Sequence, residues 1–349
     1  MKIAQVCPRY APHTGGVETH VQKVSERLCE RGHSVVVHTA DAGTDVRKRE
    51  TRNGVTVRRH RGAAPGGAFH VAPSIIGAVR RADTDLIHAH NYHSFPLLFA
   101  ALGAGKTPLV STPHYHGGSA SRFRDALLSL YRLPGRWALR SADAVIAVSK
   151  WERRRLREDF GVNADVIPNG VDVARFREAN PERRERPYLL TVGRLEPYKG
   201  VDHAIRALAR LPEYDLLVAG TGPDRERLED VARETGVDGR VSFEGYVDDD
   251  RLPGLYAGAT AYLNLSSFEA YGMTVAEALA AGTPCVVSSA GALIDWTNRE
   301  GCVSVETPSP ETVAAVVNQV SGRRPCPDDL PTWDVVVDDI ETTYESAAV

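Results

Sequence analysis

Short runs rich in β-branched residues alternate with stretches of helical period along most of the chain, the signature that parallel α/β sheets leave in a sequence. In the first half, strands are expected at Lys2–Cys7, Ser34–Thr39, Val55–Arg59, Leu86–His90, Leu109–Thr112, Ala144–Val148 and Asp165–Ile167. Between the first two, Gly16–Arg31 places Val17, Val21, Val24 and Leu28 on one helical face at spacings of three and four. Strands resume at Tyr188–Val192, Asp215–Ala219, Arg240–Phe243, Ala259–Leu263 and Pro284–Ser288. The stretch Asn180–Pro187, where prolines bracket a charge run, reads as a linker. It divides the chain into domains 1–180 and 181–332 and leaves 333–349, where a last acidic helix is expected at roughly Asp334–Ser346. That helix is expected to cross back to the first half, where Asp334, Asp338, Asp339 and Glu341 would find complementary charge.

Length agrees with this division, because 349 residues exceed what one hydrophobic core organises. Hydrophobic residues at 42% and charged residues at 25% describe a soluble globular chain, and no apolar run is long enough to cross a bilayer. Residues 1–6 read directly as a strand rather than as an export signal. The five cysteines (Cys7, Cys29, Cys285, Cys302 and Cys326) are odd in number and lack CxxC spacing, so reduced thiols and a cytoplasmic location are expected. The net charge of −3 conceals an asymmetry. Residues 1–180 carry 27 Lys plus Arg against 16 Asp plus Glu, and the remainder 15 against 29. A basic first half suits an anionic surface or substrate; the acidic second half argues against nucleic acid as a partner.

The most informative constellation runs from Ser266 to Leu279 and contains Glu269, Tyr271, Gly272, Met273, Thr274 and Glu277. A strand leads into a loop holding Glu269, a helix starts near Gly272, and Gly282 suits the position just past its end. Bare amides at a helix start on the C-terminal edge of a parallel sheet bind anions. Two carboxylates beside a phosphate would repel it unless they bind hydroxyls around it, and a nucleotide sugar offers a ribose on one side of its diphosphate and a hexose on the other. Gly15-Gly16, between the first strand and the long helix, occupies the place of a phosphate-facing Rossmann turn, but without the full G-x-G-x-x-G a dinucleotide is disfavoured.

With Tyr-Gly between them, Glu269 and Glu277 form a Glu-x7-Glu pattern that resembles the donor-site signature of the retaining glycosyltransferases of family 4. Gly15-Gly16-Val17-Glu18-Thr19-His20, Ala147-Val148-Ser149, Ile167-Pro168-Asn169-Gly170-Val171-Asp172, Val192-Gly193-Arg194-Leu195-Glu196-Pro197-Tyr198-Lys199-Gly200 and Gly220-Thr221-Gly222-Pro223 follow in that family's order. The resemblance implies a GT-B fold, two Rossmann-like domains facing a cleft, with the donor on the second and the acceptor on the first. It makes Arg194 and Lys199 the diphosphate-binding pair, brings Gly15-Gly16 toward the donor phosphate and acceptor, and places His114 near the transferred sugar, with His116 a weaker match. Glu277 is expected to take the ribose and Glu269 the sugar hydroxyls, with amides at Gly272 and Met273 supporting the diphosphate. Cations fixed at a departing diphosphate stabilise the transition state more than the ground state. With no obvious nucleophile, retention implies attack on the same face, the departing phosphate oxygen accepting the acceptor's proton.

The expected reaction therefore moves a hexose-type sugar from a UDP- or GDP-sugar to a hydroxyl on a glycan or lipid-linked acceptor, in glycolipid, lipid-linked glycan or polysaccharide synthesis. It needs neither cofactor nor metal. The alternatives are a nucleotide-sugar epimerase of the same fold and a non-catalytic nucleotide-sugar-binding module. His88, His90, His93, His114 and His116 near strand ends invite a metal site, but no Asp, Glu or Cys with ligand spacing accompanies them. Asp83-Thr84-Asp85 precedes its strand, the wrong edge for a ligand, and reads as a loop. Residues 121–140 hold five arginines and one acid beside an apolar face of Phe123, Leu127, Leu130 and Tyr131, so contact with an anionic membrane at its inner face is expected. After Cys285–Ser288 the chain departs from the family. Ser289–Trp296 offers one glycine, Gly291, and an aspartate, Asp295, where a Gly-Gly and a glutamate are usual, which bears on contacts to the sugar.

Overall fold

The computed structural model describes residues 1–40, 47–64, 69–117 and 122–348, with the side chains of 122–127 outside the description. Two compact units result. The first joins Met1–Gly170 to Trp333–Val349, and the second is Val171–Thr332, so that Asn180–Pro187 lies inside the second.

The first unit is built on an eight-stranded sheet in the order β3-β4-β2-β1-β5-β6-β7-β8. Its strands are β1 (Lys2–Cys7), β2 (Ser34–Thr39), β3 (Arg49–Arg52), β4 (Val55–Arg59), β5 (Leu86–His90), β6 (Leu109–Thr112), β7 (Ala144–Ala147) and β8 (Asp165–Val166). Helices α1 (Gly16–Glu30), α2 (Ser74–Arg80), α3 (Pro96–Ala104), α4 (Arg122–Arg140) and α5 (Lys150–Phe160) alternate with them. All neighbours run parallel except β3 and β4. Strand β3 was not legible in the sequence because Arg-Glu-Thr-Arg has no apolar residue. It is a solvated edge strand set by the hairpin turn Asn53-Gly54, both at positive φ (48° and 81°), the geometry that a tight two-residue hairpin needs. Strand order reverses between β1 and β5, so their C-terminal ends open a crevice.

The second unit carries an all-parallel sheet in the order β11-β10-β9-β12-β13-β14. Between α6 (Val173–Arg177) and α7 (Val201–Leu208) comes β9 (Tyr188–Val192), followed by β10 (Asp215–Ala219), α8 (Arg225–Glu234), β11 (Val241–Gly245), α9 (Leu252–Gly258), β12 (Ala261–Asn264) and α10 (Met273–Ala280). Strands β13 (Cys285–Ser288) and β14 (Cys302–Val305) and helix α11 (Pro310–Val320) complete it. Strand β14, absent from the sequence reading, is a four-residue edge strand with no full helix before it to mark it off. The reversal falls between β9 and β12.

Helix α12 (Trp333–Ala347) belongs to the first unit. Trp333, Val336, Val337, Ile340 and Tyr344 form its buried stripe at spacings of three and four. Three of the four expected acids pair with α1 and the residues just after it: Asp334 with Arg27 at 2.9 Å, Asp338 with Arg31 at 2.6 Å, and Glu341 with both Arg31 and His33. Such partly exposed pairs contribute about 0–1 kcal/mol each, so the apolar stripe holds the helix and the charges select its seat.

Candidate active site

At the β9/β12 reversal of the second unit, a pocket is lined by Gly193, Arg194, Leu195, Lys199, Asn264 and Ser266 among others. Arg194 and Lys199 thus face one space although they stand five positions apart. Pro197–Lys199 form a short 3-10 turn after β9. The amide of Ser267 donates to the carbonyl of Tyr198 at 2.8 Å, which ties that turn to the loop after β12. The rings of Tyr198 and Phe268 stack at 4.2 Å, and the Lys199 ammonium lies 5.2 Å from the Tyr198 ring centre.

This tie brings Lys199 to Glu269, with Nζ 2.6 Å from Oε1. Burial pulls the lysine's pKa down, but the charge and hydrogen bond of Glu269 more than offset it and the net shift is upward. Lys199 stays cationic. The Ser266 hydroxyl donates to the same carboxylate oxygen at 3.1 Å. Arg194 is 60% exposed and pairs with buried Glu196 at 2.8 Å. Both cations of the pocket are therefore neutralised by carboxylates of the same unit, a pairing the spacing of these residues did not reveal.

Tyr271 is buried, and its carbonyl accepts from the indole of Trp296 at 2.6 Å. Gly272 sits at the N-cap of α10 with φ 96°, a left-handed turn that turns the chain into Met273 and Thr274 and leaves the first amides of the helix without intrahelical acceptors. Glu277, half-buried by surface area but densely surrounded, accepts from the Tyr256 hydroxyl at 3.0 Å. Burial pushes its pKa up to about 7, with the Tyr256 hydrogen bond pulling the other way. Tyr256 and Asn264 leave no mark in the sequence motifs, and Ser266, Glu196 and Trp296 stand in those motifs without an assigned role, because only tertiary packing brings them to the site. Gly291 packs against the backbone of Glu269, and the Ala292 amide donates to the Glu269 carbonyl at 2.9 Å, so the Ser289–Trp296 segment braces the Glu269 loop.

In the first unit, Gly15 is the N-cap of α1, with Gly16 its first residue, and Glu18 beyond them pairs with Arg9 at 2.7 Å. His114 follows β6 at φ 48° and is buried. The next amide, that of Tyr115, donates to Glu152 Oε1, while the Val148 amide donates to Oε2 at 2.6 Å. Buried Glu152, pushed up to about 8 by desolvation against these two hydrogen bonds, holds the His114 loop to the start of α5. Its signal was present: Ser149-Lys150-Trp151-Glu152 is a helix-start pattern in which the serine caps the Glu152 amide.

The five histidines noted in the sequence divide, and a sixth joins them. His20 of α1 stands with His90 and His114, their ligand atoms within 4.8 Å of one another. Burial drives all three pKa values down, His20 to about 4, so the imidazoles are neutral. His90 Nε2 donates to Gln5 Oε1 at 2.7 Å, which leaves its lone pair on Nδ1. Three such nitrogens could hold a borderline divalent ion, provided they drew in to about 2.0–2.1 Å from it. His88 instead bonds Tyr344 Oη at 2.7 Å and Thr112 Oγ1 at 2.8 Å, and His93 stacks on His116 at 3.9 Å. Asp83 pairs with Lys2 Nζ and Asp85 accepts from the Lys2 amide, so the Asp-x-Asp braces a strand start.

Two α/β units on largely parallel sheets, one with a cationic pocket at its topological switch point, are the architecture of the GT-B glycosyltransferases. The family model "Glycosyltransferase Family 4" matches residues 14–175, and "Glycosyl transferases group 1" matches 172–328. An uncharacterised glycosyltransferase of Methanocaldococcus jannaschii is 30% identical over 92% of this chain and 89% of its own. The phosphatidyl-myo-inositol mannosyltransferase of Mycolicibacterium smegmatis is 32% identical over 82% of this chain and 76% of its own. Among solved structures, Anabaena HepE in complex with UDP-glucose superposes with a TM-score of 0.78 at 20% identity, covering 99% of this chain and 100% of its own. The chain belongs to glycosyltransferase family 4 and is a transferase.

Proposed function

We propose that this glycosyltransferase moves a hexose from a UDP- or GDP-sugar to a hydroxyl of a glycan or lipid-linked acceptor, with retention at the anomeric carbon and without a metal ion. The observation that supports this most is the convergence of Arg194 and Lys199 on one pocket, whose Asn264 donates to Thr274 in the first turn of α10 at 3.4 Å, with Glu269 bonded to Lys199. In this reading the diphosphate displaces the carboxylates from both cations, and the amides of Gly272 and Met273 add donors. Glu269, released from Lys199, takes the sugar hydroxyls; Glu277 takes the ribose. As the sugar–phosphate bond breaks, charge grows on the diphosphate, and the two cations stabilise that growth. The departing phosphate oxygen takes the acceptor's proton as the acceptor oxygen bonds the same face of the sugar. Tyr271 and Thr274 belong to the donor loop, Gly15 and Gly16 approach the donor phosphate and the acceptor, and His114 serves the transferred sugar.

Relatives named for lipid acceptors support the acceptor class, and the face of α4 described below supports action at the inner surface of a membrane. No helix among the described residues is long and apolar enough to cross one. Epimerisation is not favoured, since the relatives matched over most of the chain are named as transferases.

Thermal-shift titration with UDP, GDP and ADP, followed by NMR of the product's anomeric proton, tests the reading. A nucleoside diphosphate should raise the unfolding temperature, and the product should keep the donor's anomeric configuration. Failure of every nucleoside diphosphate to stabilise the chain would overturn the donor assignment, and inversion would overturn the mechanism.

A further inference from the structure

Helix α4 carries apolar residues on two faces, and the core takes only one of them. Tyr131, Ala138 and Leu139 are buried, with Tyr131 edge-on to Phe69 and Tyr92. Hydropathy along the sequence groups Leu130 with Tyr131, yet Leu130 points away and is 79% exposed; Leu133 is 78% and Trp137 48% exposed. At about 100° per residue these three fall within roughly 60° of the helix circumference and span about 10 Å along it. Three of the six exposed large hydrophobics among the described residues thus share two turns of one helix. Arg132, Arg136 and Arg140, all exposed and four residues apart, run alongside them. From residue 128 to 140 the helix has no acid.

We propose that this face docks on an anionic lipid bilayer. Leu130, Leu133 and Trp137 enter the boundary between headgroups and acyl chains while the arginine row meets lipid phosphates, the arrangement by which an amphipathic helix lies in an interface. The indole of Trp137 suits that depth, with an apolar ring and one polar N–H. Charge decides against a second copy as the occupant, because a two-fold contact sets this helix face against itself without an acid, and Asp159, which lines a pocket with Arg132, is already paired with Arg155. The inner face is anchored by the core and by the Tyr131 hydroxyl, which donates to the Ser94 carbonyl at 3.3 Å, so the helix is presented already ordered. The inference uses residues remote in sequence from the donor pocket and stands independently of the sugar and nucleotide assigned there.

Cosedimentation of the full chain with large vesicles tests it, comparing phosphatidylcholine alone with phosphatidylcholine mixed with phosphatidylglycerol. Binding is expected to the mixed vesicles only, and to weaken with salt. Leu130→Ser/Leu133→Ser/Trp137→Ser should lower the affinity at least about tenfold. Arg132→Gln/Arg136→Gln/Arg140→Gln should lower it on the order of 100-fold, since each arginine near an anionic surface is worth about 1 kcal/mol, roughly fivefold. The arginine variant should unfold at the wild-type urea midpoint and the serine variant slightly below it, since Trp137 is half covered and serine is a weaker helix former than leucine. Equal binding to both lipids, binding to neither, or variants that bind like wild type would overturn the proposal. So would a wild-type dimer that Leu133→Ser dissociates in sedimentation equilibrium, which would give the face to a second copy.

Discussion

Replacing Lys199 by methionine keeps the unbranched stem of the side chain and removes the ammonium with its charge and its hydrogen bond to Glu269, so two consequences can be separated. The first concerns stability. Lys199 and Glu269 are 21% and 18% exposed and 2.6 Å apart, and Ser266 would continue to donate to the stranded carboxylate. The loss should therefore fall below the 3–5 kcal/mol seen when a fully buried pair is broken, at about 2 kcal/mol. The second concerns turnover. If the ammonium meets the diphosphate as charge builds, its removal costs about 3 kcal/mol of barrier, roughly 100-fold in kcat. Adding Glu269→Gln removes the stranded charge, so stability should return by about 1 kcal/mol while turnover stays low. Urea unfolding and coupled detection of released nucleotide measure the two quantities on the same preparations. Turnover in Lys199→Met within about threefold of wild type would refute the role. Recovery of turnover in the double variant would show that Lys199 acts only by restraining Glu269.

Two further outcomes follow from the same loops. Because burial raises Glu277 to about 7, above its ordinary value of 4.5, its carboxyl is protonated in the free protein below that pH, and its protonated form favours the folded state. That contribution to stability is complete below pH 4.5 and fades as pH rises through about 7, whereas a carboxylate able to accept from ribose appears over the same upper range. Nucleotide affinity by calorimetry should accordingly weaken as pH falls below about 7, and Glu277→Gln should flatten this dependence; an unchanged pH profile in that variant would refute the ribose assignment. At Gly291, with φ 59°, an added Cβ would lie 2.7 Å from both the amide nitrogen and the carbonyl oxygen of Glu269. Gly291→Ala should cost about 1–3 kcal/mol in urea unfolding and lower turnover by displacing the Glu269 loop, and wild-type values for both would show that Ser289–Trp296 does not brace the site.

Most of the fold was legible because parallel strands buried on both faces are rich in β-branched and aliphatic residues, even where buried Gln5, His88 and His90 interrupt the run. β1, β2, β5, β6, β9 and β10 fall where their Val, Ile and Leu runs predict. The failures share a cause: β3 and β14 are short edge strands, held mainly by backbone hydrogen bonds that leave little imprint on composition. The outward face of α4 was misread for a related reason. Hydropathy marks Leu130 and Tyr131 alike, and only the neighbouring elements decide that the tyrosine is core and the leucine is not.

By itself the sequence determined the alternation of elements, the family, and the candidate donor residues, because each depends on residue type and local order. Tertiary structure alone decided who meets whom. The Lys199–Glu269 pair, the hydrogen bond from Tyr256 to Glu277, the brace of Glu152 under His114 and the gathering of His20 with His90 and His114 all join residues separated by gaps in the chain. Such contacts are set by how strands order themselves in a sheet, and the periodicity of one strand or helix carries no record of its neighbours.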